Sequence, residues 1–233
     1  MEEYMPNGWI LRLSLFGVFF QIMTYDAVSQ SLPDLRDSLN IAAYNLSRTP
    51  ESIDLRLRKA AFNLQLEQYQ YAKEEYDRIL RKHPDNIAAL YYRAYTNEKL
   101  KRLHFSKLDY EQILKIVPTN FEARLGLALL CQKMNRFTDA YDNINLLIQQ
   151  HPDSSVAYAA RAGIEVERHM LDAAESDYSE AIKRNPNEVD YLLARADLRI
   201  KLHKFSDAHD DLDRLIQLGV PRSSLSRMLN QCQ

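Results

Sequence analysis

The stretch IDLRLRKAAFNLQLEQYQYAKEEYDRILRKHPDN, residues 53–86, is followed without a gap by IAALYYRAYTNEKLKRLHFSKLDYEQILKIVPTN, residues 87–120. Three further blocks of the same length, 121–154, 155–188 and 189–222, continue the series with nothing inserted or deleted. Laid over one another, the blocks repeat proline every 34 residues, at Pro84, Pro118, Pro152 and Pro186; Pro50 extends the series upstream and Pro221 comes one residue late. A period this regular means a stack of like supersecondary units. Two helix-compatible stretches separated by a short polar break lie between successive prolines, so each block predicts one helix–turn–helix hairpin.

Position eight of every block is alanine: Ala60, Ala94, Ala128, Ala162 and Ala196. Position twenty is Ala72, Ser106, Ala140, Ala174 and Ala208. Small residues at both places let two helix backbones approach, where a larger side chain would wedge them apart. Position seventeen (Tyr69, Leu103, Phe137, Leu171, Phe205), position twenty-four (Tyr76, Tyr110, Ile144, Tyr178, Leu212) and position twenty-seven (Ile79, Ile113, Leu147, Ala181, Leu215) recur at the spacing of one buried helix face. One hairpin cannot bury that face alone, so neighbours must stack. Each proline forbids continuation of the second helix, and Asp85 or Asn86, Thr119 or Asn120, Ser154 and Asn187 are the expected caps of the next one. With five glycines and no window that alternates like a strand, the expected class is all-α: an α-solenoid of stacked antiparallel helix-turn-helix hairpins.

This pattern resembles the tetratricopeptide repeat over about three quarters of the chain, and the 34-residue period is that family's own. The resemblance implies a right-handed superhelix whose first helices line a groove. Two departures stand out. The first-helix tryptophan of the family is replaced by Arg56, Leu90, Arg124, Tyr158 and Leu192, and the turn glycine by Glu67, Lys101, Asn135, His169 and His203.

Outside the five repeats, 30–52 reads as an N-terminal capping helix or degenerate half repeat, and 223–233 as a C-terminal capping helix that covers the last apolar face. Residues 1–29 read as a signal peptide. Leu13 to Met23 is an apolar run of eleven residues behind Arg12, and Ala27, Val28 and Ser29 supply a small-x-small site. Glu2 and Glu3 depart from a basic leader. The expected location is exported, periplasmic or cell-surface in a bacterium, with a membrane anchor at residues 9–23 as the alternative and membrane contact only through that segment.

Residues 30–233 carry 29 basic and 29 acidic side chains. A neutral, interspersed surface exerts no sustained pull on phosphate backbones, so no nucleic-acid partner is expected. One element of the charge pattern repeats with the fold. Positions seven and twenty-three pair Lys59 with Glu75, Arg93 with Asp109, Arg161 with Asp177 and Arg195 with Asp211, and in the third block both change together, to Leu127 and Asn143. Equidistant from the turn, these positions face each other across an antiparallel hairpin and predict four repeated salt bridges.

Nothing marks a catalytic site: there is no glycine-rich phosphate loop, His-Glu-x-x-His helix, Cys-x-x-Cys pair or nucleophile elbow. Five of the six histidines fall near helix ends or turns, Cys131 reads as a small core residue and Cys232 lies in the tail. No enzyme activity, cofactor, metal or small-molecule substrate is expected. Binding of a protein or peptide is. The groove positions that the family resemblance implies include Tyr91, Tyr92, Tyr95, Glu98 and Lys99, then Leu125, Leu129, Gln132 and Lys133, then Asp190, Leu193, Asp197 and Lys201. Of these Tyr91, Tyr92, Tyr95, Lys99, Leu125, Leu129, Lys133 and Asp197 are the candidate contact residues, an amphipathic surface suited to an extended or helical peptide. The clamp by which some members of the family grip a C-terminal carboxylate is absent, its positions holding Leu57, Ala61, Tyr92, Glu122 and Gly126. The alternative function is a structural subunit of an envelope assembly, a homo-oligomer joined through the end helices.

Overall fold

The computed structural model describes residues 32–232; the leader and its anchor alternative lie outside them. Among the described residues no helix is long and apolar enough to cross a membrane. They contain twelve α-helices, one short 3-10 turn and no strand. They fall into two compact units, 32–135 and 136–232. The unbroken period gives no hint of this boundary, which lies in the turn of the third block.

The first unit runs α1 (Leu32–Arg48), α2 (Ile53–Gln65), α3 (Tyr69–Lys82), α4 (Ile87–Lys99), α5 (Leu103–Ile116) and α6 (Phe121–Lys133). The second runs α7 (Phe137–Gln150), α8 (Ser155–Glu167), α9 (Leu171–Arg184), α10 (Val189–Lys201), α11 (Phe205–Gln217), the 3-10 turn Arg222–Leu225 and α12 (Ser226–Gln231). Within each unit every helix packs on its sequence neighbour, which makes the hairpins α2–α3, α4–α5, α8–α9 and α10–α11. At the C-terminal end Leu225 and Leu229 are buried with Leu192, Ala196, Leu212 and Leu215.

Local chemistry sets the helix ends. The side chains of Ser52, Asn86, Asn120 and Ser154 accept from the amides of Leu55, Ala89, Ala123 and Ala157. Asn187 does not cap: the residue before α10 is Glu188, without a side-chain bond, and Asn187 Oδ1 instead accepts from Arg214 at 2.9 Å. In four hairpins the amide after the turn reaches back five residues, as from Gln68 to the Asn63 carbonyl and from Met170 to Glu165. That geometry needs a left-handed residue, and Glu67, Lys101, Asn135, His169 and His203 all adopt φ of 57–60°. The missing turn glycines leave the backbone unchanged, at about 1 kcal/mol of strain each.

The nine alanines and one serine of positions eight and twenty are fully buried, and the residues of positions twenty-four and twenty-seven are buried with them. Position seventeen departs from expectation. Each of its residues opens a second helix at the edge of the hairpin and stays partly exposed, Phe205 at 38%.

The four predicted salt bridges form. Lys59 Nζ lies 2.8 Å from Glu75, and three arginines grip their aspartates with both Nε and Nη2: Arg93 on Asp109 at 3.0 and 2.6 Å, Arg161 on Asp177 at 2.5 and 2.8 Å, and Arg195 on Asp211 at 3.0 and 2.6 Å. All four acids are buried. The third arm of each arginine does something the pairing pattern did not predict. Nη1 of Arg93, Arg161 and Arg195 bonds to Asp77, Asn145 and Ser179 of the preceding hairpin's second helix, at 2.8, 2.9 and 3.0 Å. One guanidinium thus fastens its own hairpin and joins it to the one before. In the third block, which lacks the pair, Leu127 is buried and Asn143 bonds to the carbonyl of Asp139.

Candidate functional site

In α4, Tyr91 and Tyr95 stand one turn apart on one face of the helix, while Tyr92 is turned about 100° from Tyr91. Tyr92 stacks on Tyr76 of the preceding hairpin, centroids 6.1 Å apart and planes 16° off parallel. Tyr91 presents its edge to Tyr92 at 5.5 Å and to Tyr110 at 6.0 Å. Tyr95 carries the Lys99 ammonium 5.1 Å from its ring centroid. Tyr92 is therefore spent largely on joining two hairpins, while Tyr91 and Tyr95 remain on the half-exposed face.

Beneath that face Tyr110 of α5 is wholly buried, and its hydroxyl donates to Glu98 Oε1 at 3.1 Å, as a buried phenol needs some acceptor. Gly126 of α6 makes room for this ring: a Cβ there would sit 2.7 Å from Tyr110 Cζ. Lys133 Nζ, also on α6, lies 3.7 Å from Glu98 Oε2, beyond hydrogen-bond reach. Burial pushes the Glu98 carboxyl above its usual range, against the opposing pull of Lys133 and the Tyr110 hydrogen bond. Burial likewise raises the Tyr91 hydroxyl, assisted by Glu122, Tyr92 and Glu98. The result is a tyrosine-rich surface over the Glu98 carboxyl, which is held by the Tyr110 hydroxyl and approached by Lys133.

Of the candidate contact residues, Tyr91, Tyr95 and Leu129 are partly exposed and Lys99 and Lys133 exposed, with Lys99 over the Tyr95 ring and Lys133 beside Glu98. Leu125 is excluded: only 2% exposed, it belongs to the core, because α6 is apolar around most of its circumference. Asp197 belongs to the second unit, where it pairs with Lys201 at 2.6 Å. The repeat pattern does not mark Tyr110 and Gly126 as supports of this face. The signal for them was a lone glycine inside the otherwise large apolar run of α6. A second depression, about 880 Å³, lies between α3 and α5 over Leu80, Leu90 and Leu108, but the charges on its floor, Arg93 with Asp77 and Asp109, satisfy one another.

Residues 109–164 match the tetratricopeptide repeat family model, and the architecture resembles solved members along most of the chain. The fold is that of the tetratricopeptide-repeat proteins. A tetratricopeptide repeat protein from Parabacteroides merdae superposes with a TM-score of 0.67 at 20% identity, covering 86% of this chain and 78% of that one. TTC0263, a thermophilic tetratricopeptide-repeat protein of Thermus thermophilus, gives 0.59 at 16% identity over 77% of this chain and 98% of its own. YrrB, described as having an unusual peptide-binding site, gives 0.55 at 15% identity over 76% and 91%. No curated protein matches this sequence. At such identities the likeness establishes fold alone.

Proposed function

We propose that the chain is a non-enzymatic scaffold that binds a protein or peptide on the α4–α6 face of its first unit, with Tyr91, Tyr95 and Leu129 as contacts and Lys99 and Lys133 as mobile charges at its rim. The observation that carries this is the packing beneath the face. Tyr91 is fixed by edge contacts to two rings, and the buried Tyr110–Glu98 hydrogen bond holds the floor, so little side-chain freedom is lost on binding. The peptide site attributed to YrrB supports the same class of partner. A random peptide library displayed on phage and panned on the full chain tests it. Peptides selected on the wild type should be lost from the Tyr95→Ala/Leu129→Ala variant. Equal capture by both removes this face as the site.

We further infer that Leu13–Met23 directs export, with Ala27–Ser29 as the processing site. Fusing residues 1–29 to alkaline phosphatase, which is active only outside the bacterial cytoplasm, should give an active reporter. Inactive reporter would refute export. Self-association through the end helices is the second reading, favoured by the outward-facing Leu32, Ile41 and Tyr44 of α1, each more than 60% exposed. Mass that rises with concentration and falls on Ile41→Glu/Tyr44→Glu substitution would support it.

A further inference from the structure

Resting on the α4–α6 face as the peptide site, we propose that it takes an arginine side chain of the bound peptide, with the guanidinium against the Tyr91 and Tyr95 rings and paired with Glu98. The family's carboxylate clamp would demand the opposite charge in the ligand, and this chain lacks it.

Three observations point to a cation. The face is built of tyrosine rings, whose negative faces attract guanidinium groups. Its floor is the Glu98 carboxylate, which accepts one hydrogen bond from Tyr110 through Oε1. Finally, the chain already brings its own cations here. Lys99 sits over the Tyr95 ring at 5.1 Å and Lys133 approaches Glu98 Oε2 at 3.7 Å. Neither contact is tight. Both lysines are substantially exposed on long flexible stems, Lys133 at 45%, and can swing to solvent. An arginine offers what they do not: a planar group that stacks on a ring while donating in the same plane to a carboxylate. The two lysines occupy the places of the ligand's charge and yield to it.

The attraction is local. Residues 32–135 hold 17 Lys and Arg against 13 Asp and Glu, so the unit as a whole does not draw cations from a distance. Binding should accordingly be only weakly weakened by salt, unlike a polyelectrolyte contact.

The test titrates the 15N-labelled full chain with two acetylated, amidated seven-residue alanine–glycine peptides, one with a central arginine and one with glutamate there, following amide shifts of α4 and α6. The arginine peptide should bind at least about tenfold more tightly than the glutamate peptide. Glu98→Gln, which keeps an acceptor for Tyr110, should weaken the arginine peptide about tenfold while leaving the spectrum of a folded chain. Lys99→Ala/Lys133→Ala should tighten it by about threefold or more, because a competing cation is gone. The proposal is overturned if neither peptide binds, if the glutamate peptide binds as well, if Glu98→Gln changes nothing, or if losing the lysines weakens the arginine peptide. Should peptides from the phage library depend on Tyr95 yet show no arginine preference, only the arginine assignment fails. Should they ignore Tyr95, the site itself fails.

Discussion

The hairpins α8–α9 and α10–α11 share a backbone, a bidentate Arg–Asp pair and a left-handed histidine turn, yet position eleven sets opposite charges beside their buried aspartates. In α10–α11 it is Arg199, which donates to Asp211 at 2.8 Å and to Glu175 at 2.9 Å, so two cations share the aspartate and a second acid balances them. In α8–α9 it is Glu165, only 6% exposed, whose Oε2 has no partner and which adds a second buried carboxyl beside Asp177. Burial first, then the charge of Asp177, push the Glu165 carboxyl up to about 7. One repeat therefore over-satisfies its aspartate and the other crowds it. A scaffold position that does not alter the fold can still decide whether a hairpin feels pH.

The largest effect expected from breaking this contrast is at Asp211. Asp211→Ala takes the shared partner from Arg195 and Arg199, both largely covered, and should cost ~3–5 kcal/mol in urea unfolding. Asp177→Ala should cost roughly half as much, because Arg161 then gains an ionised Glu165 as substitute partner. Equal losses would mean that position eleven is a spectator. In either hairpin, combining the aspartate change with Arg→Ala at position seven should lose less than the two single losses together.

A smaller effect separates the hairpins by pH. Since the folded-state value of Glu165 is raised above its ordinary 4.5, the native chain holds a proton there that the unfolded chain has released. The stabilising contribution is full below about 4.5 and is lost as pH rises through about 7, amounting to ~1–3 kcal/mol. Urea midpoints from pH 5 to 8 should fall in the wild type and flatten in Glu165→Gln. An unchanged slope in the variant assigns the pH dependence elsewhere.

The smallest effect should be the same on both sides. His169→Gly and His203→Gly relieve a left-handed φ of 57° in each turn and should each stabilise by ~0.5–1 kcal/mol, offset partly by the entropy of a freer unfolded chain. Loss of stability in either would show that the imidazole contributes more than its backbone strain costs.

These contrasts also mark what could be read in advance. The Arg–Asp pairs were legible because both partners lie in one hairpin at a fixed distance from its turn, and the joint change to Leu127 and Asn143 exposed the dependence. The third arm of each arginine was not, since Asp77, Asn145 and Ser179 have little chemistry in common beyond an acceptor oxygen. The surface placement of Tyr91, Tyr95 and Lys133 followed from position within the repeat. The same rule misplaced Leu125, because helical spacing gives direction around an axis but not the depth at which neighbours cover it.

By itself the sequence determined the all-helical class, the hairpin register and the small-residue contacts, since a 34-residue period of alanines, caps and prolines admits one local solution for each block. Tertiary structure alone decided which tyrosines remain at the surface, how Glu98 comes to rest on Tyr110 over Gly126, and why Glu165 shares a buried site with Asp177. These depend on distances between side chains from different helices, and burial magnifies them: in a low-dielectric interior a few ångströms settle whether a charge is paired, strained or neutral.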